Sequence, residues 1–472
     1  MDNLPHYGLI GLGTMGAALA LNMAEQGFPI AVFNRTGSVT DMFMASAGTL
    51  ASRLVPAKTL QEFVAAIAPP RAIILMVPAG PVVDAQIDAL RLLLGEGDLI
   101  IDAGNANYTD TERRVAAVRG EIFNIMGIGV SGGEEGARHG PSIMAGGDIA
   151  HWQRMAPLLE AISAKYANIP CAALMGQGGA GHFVKMVHNG IEYADMQMIA
   201  EVYSLMRDGL GFDTRRIAET FETWDKGRLA SYLIEISGKV ARAVDPVSGE
   251  PMLDIIRDAA GQKGTGRWTV IEAQHLAVPV PVIEAAVAAR NISARLEERN
   301  KGAGAFGGLP YRLPEGALDP AVLEKALIAG KILCYAQGFD MLARAAAEFS
   351  WSLPMSTIAR IWRAGCIIRS DMLNDMAAAL EAIPGDNLIF AEPFSTLLRE
   401  NEPALRETVI AATRSGIAIP ALSSGLWWFD SMRTRCGPAN LIQAQRDFFG
   451  AHGFERLDGV DAPHGPWGQQ SG

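Results

Sequence analysis

Apolar and polar positions divide the chain into two textures. Up to about Gly178, short β-rich apolar runs alternate with stretches of helical periodicity. Tyr7–Leu12, Ile30–Asn34, Ala72–Val77, Leu99–Ala103 and Ile122–Ile128 read as strands, with roughly 15 to 40 residues between them. Such alternation predicts a mostly parallel sheet flanked by helices. Past the glycines at Gly176, Gly178, Gly179 and Gly181 the pattern changes to long helical periodicity, with runs over Lys185–Asp208 and Leu323–Phe349. An α/β segment over residues 1–178, a large all-helical segment over 179–436 and a tail over 437–472 are therefore expected. Within the helical part, Ile217, Ala218, Phe221, Arg228 and Leu233 are echoed in order and approximate spacing by Ile358, Ala359, Trp362, Arg369 and Leu373. The echo reads either as a duplicated helical unit or as the spacing any amphipathic helices share. The tail holds a helix-like patch, Asn440–Phe449, and then a stretch rich in Gly, Pro and Gln, expected to be frayed or docked.

Composition narrows the class. The chain has 472 residues, of which 49% are hydrophobic, so cores for two or three domains are available and disorder is excluded. Its 40 Lys and Arg against 51 Asp and Glu leave a formal charge of −11. That balance offers no footprint for nucleic acid or an anionic membrane, so an anionic ligand has to meet a local basic pocket. Cys171, Cys334, Cys366 and Cys436 lie far apart in sequence, which signals neither a metal cluster nor a disulfide framework. No basic leader is apparent, and no window of about 20 residues reads as predominantly apolar, so a cytoplasmic protein without a membrane span is expected.

Gly11, Gly13 and Gly16 form G-x-G-x-x-G directly after the first strand, and Ala17–Gln26 reads as the following helix. In that setting the glycines serve a tight turn, approach of backbone to a pyrophosphate and helix–strand packing, and the helix N-terminus offers N–H donors to phosphate. The bland alternative is an ordinary glycine turn. With a strand before and a helix after, a Rossmann-like dinucleotide-binding domain is expected, its cofactor held by Gly11, Leu12, Gly13, Thr14, Met15 and Gly16. The second predicted strand ends in Asn34, Arg35 and Thr36, where NAD enzymes usually carry a carboxylate. Arg35 can pair with a 2′-phosphate and stack on adenine, with Asn34 and Thr36 as donors, which favours NADP.

The segment from Gly178 to Gln197 carries the most unusual chemistry. If it is helical, Lys185, His188, Asn189 and Glu192 stand at i, i+3, i+4 and i+7 and share one face. The alternative is a solvated helix with a charged face. Against it stand the glycine run at the entry and the apolar flanks Phe183, Val184, Val187, Ile191 and Met196.

Taken together, GLGTMG with NRT, DAGN at Asp102–Asn105, GVSGGEEGARHGPSIMAGG, GAGHFVKMVHNGIEYADMQ, AGQKGTGRWT and LIQAQRDFFGAH resemble the 6-phosphogluconate dehydrogenase family, from Tyr7 to about His452. The resemblance implies oxidative decarboxylation of 6-phosphogluconate to ribulose 5-phosphate and CO2 with reduction of NADP, a step of gluconate utilisation and the pentose phosphate pathway, with no metal. It implies Lys185 as the general base and Glu192 as the acid that protonates carbon 1 of the product. Val77, Pro78 and Ala79, after the third predicted strand, would line the cofactor, Asn105 would contact nicotinamide and substrate, Ser131, Gly132 and Gly133 the departing carboxylate, and His188 and Asn189 the hydroxyls and carboxylate. Tyr193, Lys263, Thr265, Arg290 and Arg446 would hold the phosphate. Arg446 and His452 lie in the tail, which in this family crosses into the partner's active site, implying a homodimer with exchanged tails.

The chain departs from the family pattern in several places. Val39 and Pro78 stand where the family commonly has Lys, Ala103 and Ala106 replace Gly and Ser beside Asn105, and His139 stands in place of Tyr. The first two remove positive charge near the cofactor. Two other functions stay open at this level: a β-hydroxyacid dehydrogenase acting on a smaller acid without loss of CO2, and a catalytically silent NADPH-binding sensor.

Overall fold

β-branched and other apolar residues with no polar alternation make strands that are buried on both faces. The computed structural model, which describes residues 4–308 and 312–469, places eight strands in one sheet, the inner ones buried in this way and the two edge strands partly exposed. They are β1 (Tyr7–Ile10), β2 (Ile30–Phe33), β3 (Leu54–Pro56), β4 (Ala72–Leu75), β5 (Leu99–Asp102), β6 (Asn124–Val130), β7 (Ile143–Gly146) and, after a small hairpin of β8 (Lys165–Tyr166) and β9 (Ile169–Pro170), β10 (Ala172–Gly176). The spatial order is β10-β7-β6-β5-β4-β1-β2-β3. All neighbours are parallel except β6 and β7, so β7 and β10 run against the other six strands. On β4, Ile74 packs into one core while Ile73 and Leu75 pack into the other, each fully buried. Burying such a side chain contributes about 1.5–3 kcal/mol, so both faces of the sheet are sealed by the helices that connect its strands.

The expected α/β domain followed by helices is what the chain forms, with local differences. The first helix starts at Thr14, three residues before Ala17. The strand expected at Ile122–Ile128 runs Asn124–Val130. β7 and β10 sit among glycines and β3 is a three-residue edge strand ending in Pro56, so these strands leave no signature in the sequence. The helix expected at Lys185–Asp208 spans Ala180–Ser204 and ends in a turn of π-helix, Leu205–Gly209. Its glycines are helical because they pack: a Cβ on Gly181 would lie 2.6 Å from the Gly146 amide nitrogen.

This long helix, called the site helix below, buries 19 of its 25 residues, which sets it apart from a surface helix with one apolar stripe. It lies on β6, where a Cβ on Gly129 would meet Lys185 Cβ at 2.4 Å. The second long helix, Pro320–Glu348, packs against it. Contrary to the expectation from sequence, this second helix is long and apolar enough to cross a membrane, with a window of mean hydropathy 1.2, but 89% of that window is buried in the fold. Between the two, Lys331 Nζ donates to Asp195 Oδ2 at 2.9 Å, both residues buried.

The internal echo corresponds to repeated architecture. Each long helix is followed by a pair of shorter helices, Thr214–Trp224 with Tyr232–Arg242 and Met355–Ile361 with Met372–Ala382. The loops that join the two pairs meet in an antiparallel bridge, Ser231 to Ser370, reinforced by Tyr232 N–H donating to the Arg369 carbonyl at 3.1 Å.

Residues to Gly425 form one compact unit and Leu426–Gly472 a second. The outer ends of the divisions expected from sequence, 1–3 and 470–472, lie outside the described residues. In the second unit, the helix Ala439–Gly450 is followed by a loop wrapped around Asp447. This buried carboxylate accepts from Gly453 N–H, Gly465 N–H, His464 Nδ1 and Trp467 Nε1 at 2.6–2.9 Å, and these donors hold it well below the usual carboxylate range.

The substitution Gly129→Ala is expected to push the site helix off β6. Overpacking of this kind costs about 1–3 kcal/mol, so melting should occur several degrees lower, and calorimetry showing an unchanged Tm would contradict the tight contact.

Candidate active site

The turn after β1 has the geometry of a phosphate cradle. Gly11 has φ +100°, and a Cβ there would lie 2.3 Å from the Met76 carbonyl oxygen, while a Cβ on Gly16 would strike the Gly11 carbonyl oxygen at 1.8 Å. Only glycine fits either place. Gly13, between them, faces open space, and with Thr14 it opens the first helix at a bare N-terminus. Such a turn suits a pyrophosphate. The adjacent loops arrive where β1 and β4 diverge in the strand order, bringing Val77, Pro78 and Ala79 to the same edge.

The Asn34 side chain is engaged at both ends: its Oδ1 accepts from Leu12 N–H at 3.1 Å and its Nδ2 donates to the Thr36 carbonyl at 3.2 Å. It shapes the loop, and Arg35 beside it is exposed and without an ion-pair partner among the described residues, a free cation able to meet a 2′-phosphate. Val39, where positive charge was noted as missing, packs partly against the core of the sheet. The residues therefore fit a dinucleotide carrying one extra anionic group.

On the site helix, Lys185, His188 and Asn189 are buried and Glu192 is partly exposed. Lys185 Nζ donates to Asn189 Oδ1 at 2.7 Å and to Ser131 Oγ at 3.1 Å. Ser131 Oγ lies 3.3 Å from His188 Nε2, and His188 Nδ1 lies 3.0 Å from Asn189 Oδ1. An amide oxygen can only accept, so Nδ1 carries the imidazole proton and Nε2 accepts from the serine. The four side chains close a ring of hydrogen bonds. A neutral amine has two N–H bonds and one lone pair; with both N–H bonds donated within the ring, the lone pair is the part of Lys185 left to take a proton.

Burial supports the same protonation states. It lowers the Lys185 ammonium from its ordinary value, against the pull of Glu192. His188 is held well below the usual range by burial and by Lys185. Glu192 is pushed up by burial, with Lys185 and Arg290 opposing. Glu192 Oε2 sits 3.9 Å from His188 Nδ1, and Lys185 Nζ is 3.5 Å from the same nitrogen, so amine and carboxyl flank one imidazole. Nearby Cys366 stays a neutral thiol, pushed up to about 12 by burial.

Other predicted residues join this cluster. Asn189 Nδ2 donates to Thr265 Oγ1 at 3.0 Å, tying the site helix to the helix Thr265–His275. Arg290 lies over the Tyr193 ring at 3.5 Å, and Lys263 N–H donates to the Tyr193 hydroxyl at 3.4 Å, which gathers three of the expected phosphate ligands. Ser131 is followed by Gly132, whose φ is +105°, and Gly133. Asn105 is exposed on the loop after β5. Arg446 and His452 lie exposed on the second unit, Arg446 Nη1 3.3 Å from Gln443 Oε1.

Several contributors were not singled out as site residues by the sequence. Trp362 meets the His188 ring edge-on at 5.5 Å and lines its buried side. Ser142 holds the serine loop: its carbonyl accepts from Ser131 N–H, its N–H donates to the Gly365 carbonyl and its Oγ to the Ile361 carbonyl, at 2.7–3.0 Å. Asp102 and Arg114 form a buried pair at 3.0 Å under the Asn105 loop. His182 bridges two elements at the head of the site helix; it shares the stripe of Lys185 and Asn189 at i, i+3 and i+7, the one signal that could have singled it out.

The description "NAD binding domain of 6-phosphogluconate dehydrogenase" matches residues 6–176, and "6-phosphogluconate dehydrogenase, C-terminal domain" matches residues 181–467. The NADP(+)-dependent decarboxylating 6-phosphogluconate dehydrogenase of Bacillus subtilis is 44% identical, covering 98% of this chain and 98% of its own length. The NAD(+)-dependent decarboxylating enzyme of the same organism is 43% identical, over 98% of this chain and 99% of its own. A solved structure of Plasmodium falciparum 6-phosphogluconate dehydrogenase, described in apo form and in complex with its cofactor NADP+ and its substrate 6-phosphogluconate, superposes with a TM-score of 0.94 at 39% identity, covering 98% of this chain and all of that one. With both halves matched and the likeness sustained along nearly its whole length, the chain belongs to the 6-phosphogluconate dehydrogenase family.

Proposed function

We propose that this protein oxidises carbon 3 of 6-phosphogluconate with NADP and releases carbon 1 as CO2, giving ribulose 5-phosphate within the oxidative pentose phosphate pathway. The observation that carries this reading is the buried ring of Lys185, Ser131, His188 and Asn189, with Glu192 one imidazole away. Bound NADP supplies the hydride acceptor. Lys185, as a free amine, takes the proton of the carbon 3 hydroxyl as the C–H bond gives up its hydride. The resulting ammonium donates to the new carbonyl oxygen, which receives the electrons of the carbon 1–carbon 2 bond as CO2 departs. Glu192, protonated, then delivers its proton to the former carbon 2, which is carbon 1 of the product. Burial lowers the Lys185 ammonium and so favours the free amine that this step needs.

Ser131, Gly132 and Gly133 suit the carboxylate, since a hydroxyl and close backbone N–H groups face one place. His188 and Asn189 fix the hydroxyls, and Asn105 meets substrate and cofactor. Tyr193, Lys263, Thr265 and Arg290 receive the phosphate, with Arg446 and His452 supplied by the tail of a second copy in a homodimer. Residues 1–178 act as the cofactor domain, 179–436 as the substrate and dimerisation domain, and 437–472 as the exchanged tail. Four free cysteines, three of them buried, accord with a reducing cytoplasmic compartment. Relatives named for NADP and for NAD differ little in identity to this chain, so cofactor choice rests on local residues, here Arg35.

Lys185→Met should reduce NADPH production by about 10³-fold, while Glu192→Gln should keep oxidation and slow enediol protonation by about 10²-fold. The pH profile of kcat/KM should rise through a Lys185 pKa below about 10.4 and fall through a Glu192 pKa above about 4.3, since the base must be neutral and the acid protonated. An acidic limb at the ordinary lysine value would contradict the buried amine. Arg35→Ser should raise KM for NADP by about 10- to 100-fold and leave that for NAD unchanged, as expected from loss of a charge-assisted bond. Chain ending at Gly437 should be inactive, and an active truncated monomer would refute tail exchange.

A further inference from the structure

His182 has no place in the chemistry above, yet it is fully enclosed and gripped from both sides. Its Nε2 lies 3.1 Å from the Gly104 carbonyl oxygen and its Nδ1 lies 2.7 Å from Thr111 Oγ1. A carbonyl can only accept, so Nε2 carries the proton, and the bare Nδ1 accepts from the threonine hydroxyl. The cavity is shaped for the ring: a Cβ on Gly127 of β6 would lie 2.6 Å from His182 Nδ1. Gly104 is held at its other end too, its N–H donating to Asp102 Oδ1 at 3.1 Å, while Asp102 Oδ2 receives Arg114 Nη1 at 3.0 Å. The next residue is Asn105, and three residues along the site helix from His182 stands Lys185.

On the functional reading above, we propose that His182 is a positioning residue that fixes the Asn105 loop, on the cofactor side, at a set distance from the base Lys185 on the substrate side. One bond runs from the site helix to the carbonyl of a loop, the other to Thr111 on the helix Tyr108–Ala117 that follows this loop. The N–H of Nε2 is thus the direct hydrogen bond that the site helix makes to the residue before Asn105. Proton abstraction and hydride departure occur at one carbon, so a drift of that loop separates the two events in space, and misplacement by about 1 Å costs on the order of 10²-fold in rate.

The test compares His182→Phe, which keeps a ring and loses both hydrogen bonds, with His182→Gln, whose amide can again donate to the Gly104 carbonyl. His182→Phe should lower kcat by about 10- to 100-fold, with KM for 6-phosphogluconate and Kd for NADP within about threefold. The primary isotope effect with substrate deuterated at carbon 3 should rise. In the resting enzyme, hydrogen–deuterium exchange of the peptide spanning Ala103–Thr111 should quicken while that of Pro320–Glu348 is unchanged. His182→Gln should recover part of each loss. A folded His182→Phe with unaltered kcat, isotope effect and loop exchange overturns the proposal, as does equal impairment in both variants or exchange that rises uniformly. Should His182→Phe fail to fold, Thr111→Val must show the same pattern at smaller amplitude, and no change in it overturns the proposal as well. If the unmodified enzyme turns over no 6-phosphogluconate, the functional reading is what fails, and the exchange measurement still decides whether His182 holds the loop.

Discussion

The site depends on a helix being brought to backbone contact with a strand. At β6 the side chains are removed where the site helix crosses, so that Lys185 Cβ sits where a Gly129 Cβ would be. Two residues further on, the same strand leads into Ser131, the hydroxyl that receives the Lys185 amine. Helix and strand are thus registered by packing, and the amine is dry because of that packing. Had the helix stood off by the usual side-chain layer, the same lysine would reach water, and burial would no longer lower its pKa.

A dry site costs free energy unless its polar groups satisfy one another. Here the satisfaction is nearly complete and uses uncharged partners. Lys185, Ser131, His188 and Asn189 close on themselves, Asn189 passes the chain on to Thr265, and Thr269 of that helix donates to the Met186 carbonyl at 2.8 Å. No carboxylate touches the amine within hydrogen-bond distance among the described residues. That distinction matters, because a salt bridge would stabilise the ammonium and defeat a base. The contrast lies on the same helix: Asp195 holds Lys331 as a buried pair at 2.9 Å, and that lysine is structural.

Much of this was legible in the sequence, and what was not has physical reasons. The cofactor turn could be read because Gly11 and Gly16 are each demanded by a carbonyl oxygen nearby, and the catalytic face because Lys185, His188, Asn189 and Glu192 recur at helical spacing. β3, β7 and β10 were invisible: β7 is buried throughout and has no alternation to detect, while β3 and β10 are short, partly exposed edge strands. The role of Asn34 was only half visible: its type suits a ligand donor, whereas its two ends are taken by Leu12 and the Thr36 carbonyl. Ser142 and Trp362 act across large sequence separations, through contacts that no local pattern encodes.

Those distant contacts explain why the helical part holds two similar halves. The first long helix carries Lys185, His188 and Asn189, and the loop after the second supplies their backing. Trp362 covers His188, and the Gly365 carbonyl stands where a Cβ on Gly132 would be, at 2.6 Å, while also accepting from Ser142 N–H. The matching loop of the first half, around Ser231, meets the second half at Ser370 instead. In a symmetric pair each loop would back the other's long helix equally; here only one long helix lies against the sheet that brings the cofactor turn. Duplication therefore provides a rigid wall on the side away from the sheet, and the ring of Lys185, Ser131, His188 and Asn189 is held between that wall and β6.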